Sequence, residues 1–292
     1  MHVLVLGSTG FIGSSVLRFL TSFPQEFAIT TTSLRGNADF NVDIRDRQSL
    51  RDILASHCFD VILNASGRVS HESESKIGKS VNFDVNVTGV LNLIDAVQGM
   101  TGGCKPFVIH LASALEPRSK IDSAESSYAQ EKQIGTEIFK RSLSSKVLSG
   151  ACLRIHNVYG PGQPESRFIA NCIKTFLDSG CITLNYPNRI RDFAYVEDVA
   201  MSIVAMIREC RYREKSIRLE YEVGTAKGVS LSSVASTLAT LLGLEPEKVV
   251  RAALPPLLDC NPRVVADVQK LFQKSCQTDI NSGLRKMLEE LK

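Results

Sequence analysis

The apolar segment His2–Leu6 runs directly into Gly7-Ser8-Thr9-Gly10-Phe11-Ile12-Gly13, after which Phe11, Ile12, Val16 and Leu20 recur at helical spacing. A short run rich in β-branched residues predicts a buried parallel strand. Strand, glycine-rich turn and amphipathic helix, in that order, leave few options for the chain around them. Gly7 suits a tight turn, Gly10 a close approach of backbone to ligand, and Gly13 close packing of helix on strand. The free amides at the helix N-terminus favour an anion. This arrangement cradles a dinucleotide pyrophosphate, with Gly7, Thr9, Gly10, Phe11, Ile12 and Gly13 as candidate contacts. A glycine turn without a ligand is the bland alternative.

The downstream pattern alternates in the same sense. Strands are predicted at Phe27–Ser33, Val61–Asn64, Phe107–Ala112 and Val147–Ile155, and helices at Arg45–His57, Val81–Val97 and Tyr128–Leu143. That alternation predicts a doubly wound, parallel α/β sheet of Rossmann type with helices on both faces. The texture changes after residue 155. Asn157–Gln163 reads as a turn-rich loop, Pro164–Asp178 as a helix and Thr183–Asp192 as irregular. Pro255-Pro256 interrupts the chain before helices near Val264–Phe272 and Ile280–Leu291. The expected division is a dinucleotide-binding domain over 1–155 plus about 195–226, and a smaller C-terminal substrate-binding lobe over 156–194 and 227–292. Ligands of such folds bind at the carboxyl ends of the strands.

Composition excludes several classes. With 292 residues, 43% hydrophobic and 22% charged, the chain has the makings of an ordinary globular core. A formal charge of +3 argues against nucleic acid as a partner. The basic cluster Arg208, Arg211, Arg213, Lys215 follows a helical pattern and reads as a solvated helix end. No segment reaches the roughly 18 apolar residues of a membrane span. A strand beginning at His2 predicts no signal peptide and a cytoplasmic location. The eight cysteines form no Cys-x-x-Cys pair and lie at no metal-ligand spacing with histidine, so reduced thiols and no metal are expected.

Chemistry is concentrated in one stretch. In Ser127-Tyr128-Ala129-Gln130-Glu131-Lys132, the tyrosine and lysine are four apart and share a helix face. An ammonium beside a phenol favours the phenolate. Ser113, at the end of a preceding strand, adds a hydroxyl that can bind the same substrate oxygen. Ser113, Tyr128 and Lys132 therefore suit a carbonyl/alcohol pair, provided a hydride carrier lies alongside. At the end of the second strand, Thr30-Thr31-Thr32-Ser33-Leu34-Arg35 lacks the carboxylate that would hydrogen-bond an NAD ribose. Arg35 suits a 2′-phosphate, so NADP(H) is favoured over NAD(H). A solvated Arg35 in a polar loop is the alternative. In Asp43-Ile44-Arg45-Asp46, Asp46 is a candidate N-cap, which leaves Asp43 for another role.

Several ordered motifs carry a resemblance. Besides the glycine turn, they are Asp43-Ile44-Arg45-Asp46, Asn86-Val87-Thr88-Gly89, Ser113, Tyr128-x-x-x-Lys132, Leu153-Arg154 through Asn157-Val158-Tyr159-Gly160-Pro161-Gly162, Arg191-Asp192-Phe193 through Asp198-Val199-Ala200, and Tyr221-Glu222-Val223-Gly224-Thr225. From residue 1 to about residue 235 the chain resembles an extended short-chain dehydrogenase/reductase of the NAD-dependent epimerase/dehydratase family, whose members act on nucleotide sugars. The resemblance implies that Asp43 and Ile44 meet the adenine, that Ala65 and Ser66 line the cofactor, and that Lys132 holds the nicotinamide ribose. It also implies that Asn157 and Arg191 bind a nucleoside-diphosphate sugar; a turn cap at Asn157, and an Arg191 pair with Glu197 or Asp198, are the structural alternatives.

The departures narrow the implied reaction. Family dehydratases place acids just after the catalytic hydroxyl, where this chain has Ala114 and Leu115. Relatives that epimerise carbons beside the keto group carry a cysteine two residues beyond the serine, where this chain again has Leu115. The usual Val-Tyr-Gly is replaced in Glu116-Pro117-Arg118-Ser119. The remaining chemistry is NADPH reduction of a 4-keto-6-deoxyhexose nucleotide, or C4 epimerisation with retained NAD. Arg154–Phe168, Ile190–Val199 and Tyr221–Leu231 are similar to nucleotide-sugar 4-ketoreductases. A dinucleotide-binding protein without catalysis is the reading from another class. In many relatives the helices matching Val81–Val97 and Tyr128–Leu143 form a dimer interface, which implies a homodimer. The default for His71 is a solvated loop histidine.

Overall fold

The computed structural model of the chain describes residues 1–69, 81–101, 105–117, 126–210, 220–251, 263–272 and 276–290. His71, Cys104, Arg118, Ser119, Arg211, Arg213, Lys215, Pro255-Pro256 and Cys260 lie outside them, so the expectations attached to those positions do too. Strands β1 (His2–Leu6), β2 (Ala28–Ser33), β3 (Phe40–Asn41), β4 (Val61–Asn64), β5 (Phe107–Ser113) and β6 (Ser149–Ile155) come first. They are followed by β7 (Asn157–Tyr159), β8 (Ile182–Leu184), β9 (Ile190–Tyr195), β10 (Glu220–Val223), β11 (Gly228–Ser230), β12 (Val249–Arg251) and β13 (Arg263–Val264). The chain divides into two compact units, Met1–Arg154 with Ala200–Tyr221, and Ile155–Val199 with Glu222–Lys292.

The first unit is built on a seven-stranded sheet in the order β10-β6-β5-β4-β1-β2-β3. β1 pairs in parallel with β2 and β4, β2 with β3, and β4 with β5. This is the doubly wound sheet expected from the sequence, and its strand order reverses between β1 and β4. Val3, Leu4 and Val5 of β1 are fully buried, as are Val61, Ile62 and Leu63 of β4. Such continuous burial explains why these strands read as unbroken apolar runs. The core gathers Leu4, Ile62, Val108 and Cys152 from strands with Leu50, Leu93 and Phe139 from helices. Fully burying each Leu or Phe of this kind is worth about 1.5–3 kcal/mol. The helix predicted from Arg45 begins two residues later, as Arg47–Ser56, behind its candidate cap: the Asp46 carboxylate accepts from the Gln48 and Ser49 amides.

Several expectations are corrected in detail. The long helix predicted over Val81–Val97 contains a π-helical turn, Asp84–Thr88, before the α-helix Gly89–Gln98. Close packing accompanies it: a Cβ on Gly135 would collide with the Asn86 carbonyl, and one on Gly89 would lie 2.7 Å from Ile44. In the second unit, Thr183–Asp192 is not irregular but supplies most of β8 and the first half of β9, and the loop beginning at Asn157 opens with β7. β9 pairs in parallel with β7 and β13 and antiparallel with β11. The helix predicted near Val264–Phe272 is replaced by β13 and one 3-10 turn, Val268–Lys270, with Leu271 bridging to Glu222. Pairing with β9 thus outweighs the weak helical spacing of that stretch. The core of this unit joins Tyr159, Ile169, Phe176, Phe193, Leu238 and Leu284. Arg208 is not merely solvated: it pairs with Glu26 at 2.9 Å and lies over the Phe23 ring.

Candidate active site

The glycine turn lies at the point where the strand order reverses. Gly7 has φ +77°, a region that costs glycine nothing. The amides of Gly7 and Ser8 both donate to the Thr32 carbonyl at 3.0 Å, which fixes the turn to β2. A Cβ on Gly7 would lie 3.0 Å from the Ala65 carbonyl and the Ser66 amide, so the segment after β4 abuts the turn. A Cβ on Gly13 would collide with the Gly7 carbonyl, and so only glycine lets the helix Phe11–Thr21 approach so closely. Gly10 caps that helix without a side-chain bond. Uncapped amides above a glycine cradle fit a dinucleotide pyrophosphate.

The β2 side of the cradle is polar. Thr9 Oγ1 hydrogen-bonds Ser33 Oγ at 2.5 Å and donates to the Arg35 carbonyl at 3.0 Å. The Arg35 amide donates to Ser33 Oγ, and its side chain is exposed. Asp39 is the nearest downstream carboxylate in sequence, and it is turned back onto β2. Its Oδ2 accepts from the Thr31 amide and hydroxyl, both at 2.8 Å. Those bonds, the amide first, hold the Asp39 carboxyl below its ordinary value. Asp43 is gripped by Arg45, whose Nη2 lies 2.6 Å from Oδ2, and that bond holds its carboxyl low as well. Ile44 is buried against Gly89, so its side chain belongs to the core and its backbone is what remains for a ligand.

The three candidate reacting groups sit where β5 ends and the helix Ser127–Ser144 begins. Ser126 caps that helix through the Ala129 amide, which places Tyr128 in the first turn and Lys132 one turn later on the same face. Lys132 is 4% exposed, and its Nζ donates to the Leu111 carbonyl of β5 at 2.7 Å. Burial lowers its pKa, and the Glu116 carboxylate is the strongest influence opposing that. Ser113 is the last residue of β5 and is 8% exposed, with Oγ accepting from the Leu115 amide at 3.2 Å.

The sequence reading missed Glu116 as a member of this site. Its Oε1 accepts from the Ser113 amide at 2.6 Å and from Thr136 Oγ1 at 3.0 Å, and its Oε2 lies 3.4 Å from Arg154 Nη1. Arg154 in turn donates to the Ser113 carbonyl at 2.8 Å and to Glu220 Oε1 through Nε and Nη2. Burial raises the Glu116 carboxyl, opposed first by Arg154 and then by Lys132. The available signal was a lone acid behind two apolar residues, where the family pattern has Val.

In the second unit, Asn157 lies on β7 opposite Phe193 of β9, and Arg191 is a buried residue of β9. Asp192, beside it, is fully buried and accepts from the Thr225, Ala226 and Ala266 amides. Asp198 accepts from the Gln277 and Thr278 amides. A cavity of about 340 Å³, also missed from sequence, is lined by Phe168, Asn171, Thr183, Asn185, Tyr186 and Leu231, among others. The Arg189 guanidinium lies 3.9 Å above the Tyr186 ring. Among the described residues no group of three His, Cys, Asp or Glu could hold a metal, and no helix is long and apolar enough to cross a membrane.

Comparison with known proteins bears on the family and the fold. The model of a family described as NAD dependent epimerase/dehydratase matches residues 3–224. CDP-abequose synthase of Salmonella typhimurium is 26% identical, over 79% of this chain and 77% of its own. A dTDP-glucose 4,6-dehydratase of Escherichia coli is 23% identical, over 99% of this chain and 92% of its own. The crystal structure of UDP-glucose 4-epimerase from Thermus thermophilus, in complex with NAD, superposes with a TM-score of 0.78 at 22% identity, covering 99% of this chain and 98% of that one. That likeness shows the same fold.

Proposed function

The chain belongs to the NAD dependent epimerase/dehydratase family, and on that premise we propose that it reduces the 4-keto group of a nucleoside-diphosphate 4-keto-6-deoxyhexose with NADPH. One observation carries the choice of reaction. Ala114 is buried, Leu115 is apolar, and the Glu116 carboxylate behind them is committed to the Ser113 amide, Thr136 and Arg154. Among the described residues, the corner after Ser113 therefore presents neither the acids of a dehydratase nor the thiol of an epimerase acting beside the keto carbon.

Gly7, Thr9, Gly10, Phe11, Ile12 and Gly13 hold the dinucleotide pyrophosphate, and Ala65 and Ser66 wall it from the β4 side. Arg35 meets the 2′-phosphate, a role supported by its exposure and by the engagement of Asp39 with Thr31. Asp43 and the Ile44 backbone meet the adenine. Held there, the cofactor would supply the hydride that C4 of the sugar takes up. Ser113 donates a hydrogen bond to the carbonyl oxygen and stabilises the negative charge that develops there. Tyr128 gives that oxygen its proton as general acid. Lys132, tethered to Leu111, keeps the phenol acidic and binds the nicotinamide ribose. Asn157 and Arg191 bind the nucleoside diphosphate, Arg191 through charge-assisted bonds. Leu91 and Ile134 are 46% and 43% exposed on the helices Gly89–Gln98 and Ser127–Ser144, which supports a homodimer through those faces.

The test is loss of NADPH absorbance against a panel of CDP-, dTDP- and GDP-linked 4-keto-6-deoxyhexoses, with NADH in parallel. Turnover with NADPH that Tyr128→Phe abolishes, while NADPH still binds, is expected. Purified protein that carries NAD and interconverts sugars without added cofactor would instead identify a C4-epimerase. Normal NADPH binding with no turnover on any member would identify a silent binding protein.

A further inference from the structure

Both backbone polar groups of Ser113 are held by a buried pair of side chains. Its N–H donates to Glu116 Oε1 at 2.6 Å, and its C=O accepts from Arg154 Nη1 at 2.8 Å. The two side chains are 1% and 9% exposed, and Glu116 Oε2 stands 3.4 Å from the same Arg154 nitrogen. Thr136, from the helix that carries Tyr128 and Lys132, adds its hydroxyl to the same carboxylate oxygen. The Ser113 amide and the Arg154 guanidinium can only donate, and the Thr136 hydroxyl donates here too, an arrangement that suits an acceptor-only carboxylate. We propose that Glu116 is a positioning residue that, with Arg154, fixes the peptide of Ser113 and thereby aims its hydroxyl at the substrate oxygen.

Ser113 ends β5, where ladder hydrogen bonds stop constraining the backbone, yet its hydroxyl has to meet one oxygen with little tolerance. A lone acid three residues later closes a tight turn, with the Glu116 amide donating back to the Ser113 carbonyl at 3.2 Å. Charge-assisted bonds are the shortest and strongest available for such a clamp. Thr136 links the clamp to the helix Ser127–Ser144, so strand end and helix are held in one register. Charge is balanced locally, since Arg154 is shared with Glu220 and the carboxylate also faces the buried Lys132. The Glu116 side chain is 1% exposed and faces protein donors, which separates this role from that of a catalytic acid.

The proposal rests on the reductase reading only through Ser113, and the experiment keeps the two apart. Arg154 retains Glu220 when Glu116 is neutralised, so Glu116→Gln is expected to fold. If it does not, Glu116→Asp, which keeps the charge and withdraws the oxygen by one methylene, takes its place. In wild-type background, Glu116→Gln should lower kcat about tenfold while leaving the KM for the keto sugar and the Kd for NADPH within about twofold. In a Ser113→Ala background the same change should cost no more than about twofold, because its effect passes through the missing hydroxyl. Losses that simply multiply across the two backgrounds would overturn the proposal, as would a lower melting temperature with kcat unchanged. Hydrogen exchange at the Ser113 amide gives a reading independent of turnover. It should quicken several-fold in Glu116→Gln while Ile109 and Leu111 keep their rates. A wild-type chain inert on every keto sugar defeats the reductase reading alone. An unchanged Ser113 exchange rate defeats the role of Glu116.

Discussion

The Lys132 ammonium donates to the carbonyl of Leu111 over 2.7 Å, two residues before Ser113 on the same strand. The helix that carries Tyr128 is thereby fastened to the strand that ends in the serine. Burial and this bond together hold the ammonium against the strand end. Lys132→Met removes both charge and tether. Turnover should fall by about 10²-fold or more, the scale of a lost proton-transfer partner. NADPH affinity should also fall, because the ribose loses its donor. Steady-state kinetics and a fluorescence titration of NADPH check the two effects separately.

Arg35 is exposed at the end of β2, and Asp39 is occupied by Thr31. Arg35→Ala should raise the Kd for NADPH about tenfold, the loss of roughly one charge-assisted hydrogen bond, and leave NADH binding unchanged. Equal weakening of both cofactors would show that Arg35 does not meet the 2′-phosphate.

A methyl group on Gly13 would collide with the Gly7 carbonyl, which belongs to backbone and cannot swing aside. Gly13→Ala should destabilise the protein by about 1–3 kcal/mol, as overpacking does, and weaken both NADPH and NADH. Thermal melting with and without cofactor measures this. A melting temperature and cofactor affinity equal to wild type would contradict the close packing of helix on turn.

Asp43 carries a pH prediction. Its bonds from Arg45 hold the carboxyl below the ordinary 3.8, so the unfolded chain takes up its proton first as the solution is acidified. Its contribution to stability is therefore complete above that ordinary value and is lost as pH falls through the lower folded value. Asp43→Asn should flatten the acid side of the melting-temperature profile and leave the profile's shape above it unchanged. A profile that stays as steep in acid as the wild type would remove Asp43 from the account.

Local signals made the first unit legible. The glycine turn, the buried runs of β1 and β4 and the Asp46 cap each declare themselves within a few residues, and the doubly wound order follows from their alternation. The second unit is held by pairings that leave no local period. β9 gathers β7, β11 and β13 from well separated parts of the chain, so Thr183–Asp192 reads as irregular and Val264–Phe272 as helical from sequence alone. Ile44 matched a motif, yet its side chain is set by Gly89, a contact no spacing reveals. Glu116 was visible only as a break in a pattern. Its meaning came from Arg154 and Thr136, which approach it from another strand and a helix.

Transfer of label from the cofactor to the sugar tests the central claim most directly. NADPH carrying deuterium at the transferable position of the nicotinamide is mixed with the enzyme and its accepted 4-keto-6-deoxyhexose nucleotide, and the product is read by mass spectrometry and NMR. Reduction places one deuterium at C4 of the sugar for each NADP⁺ formed. Sugar that is converted without deuterium at C4, with the NADPH unspent, would contradict it.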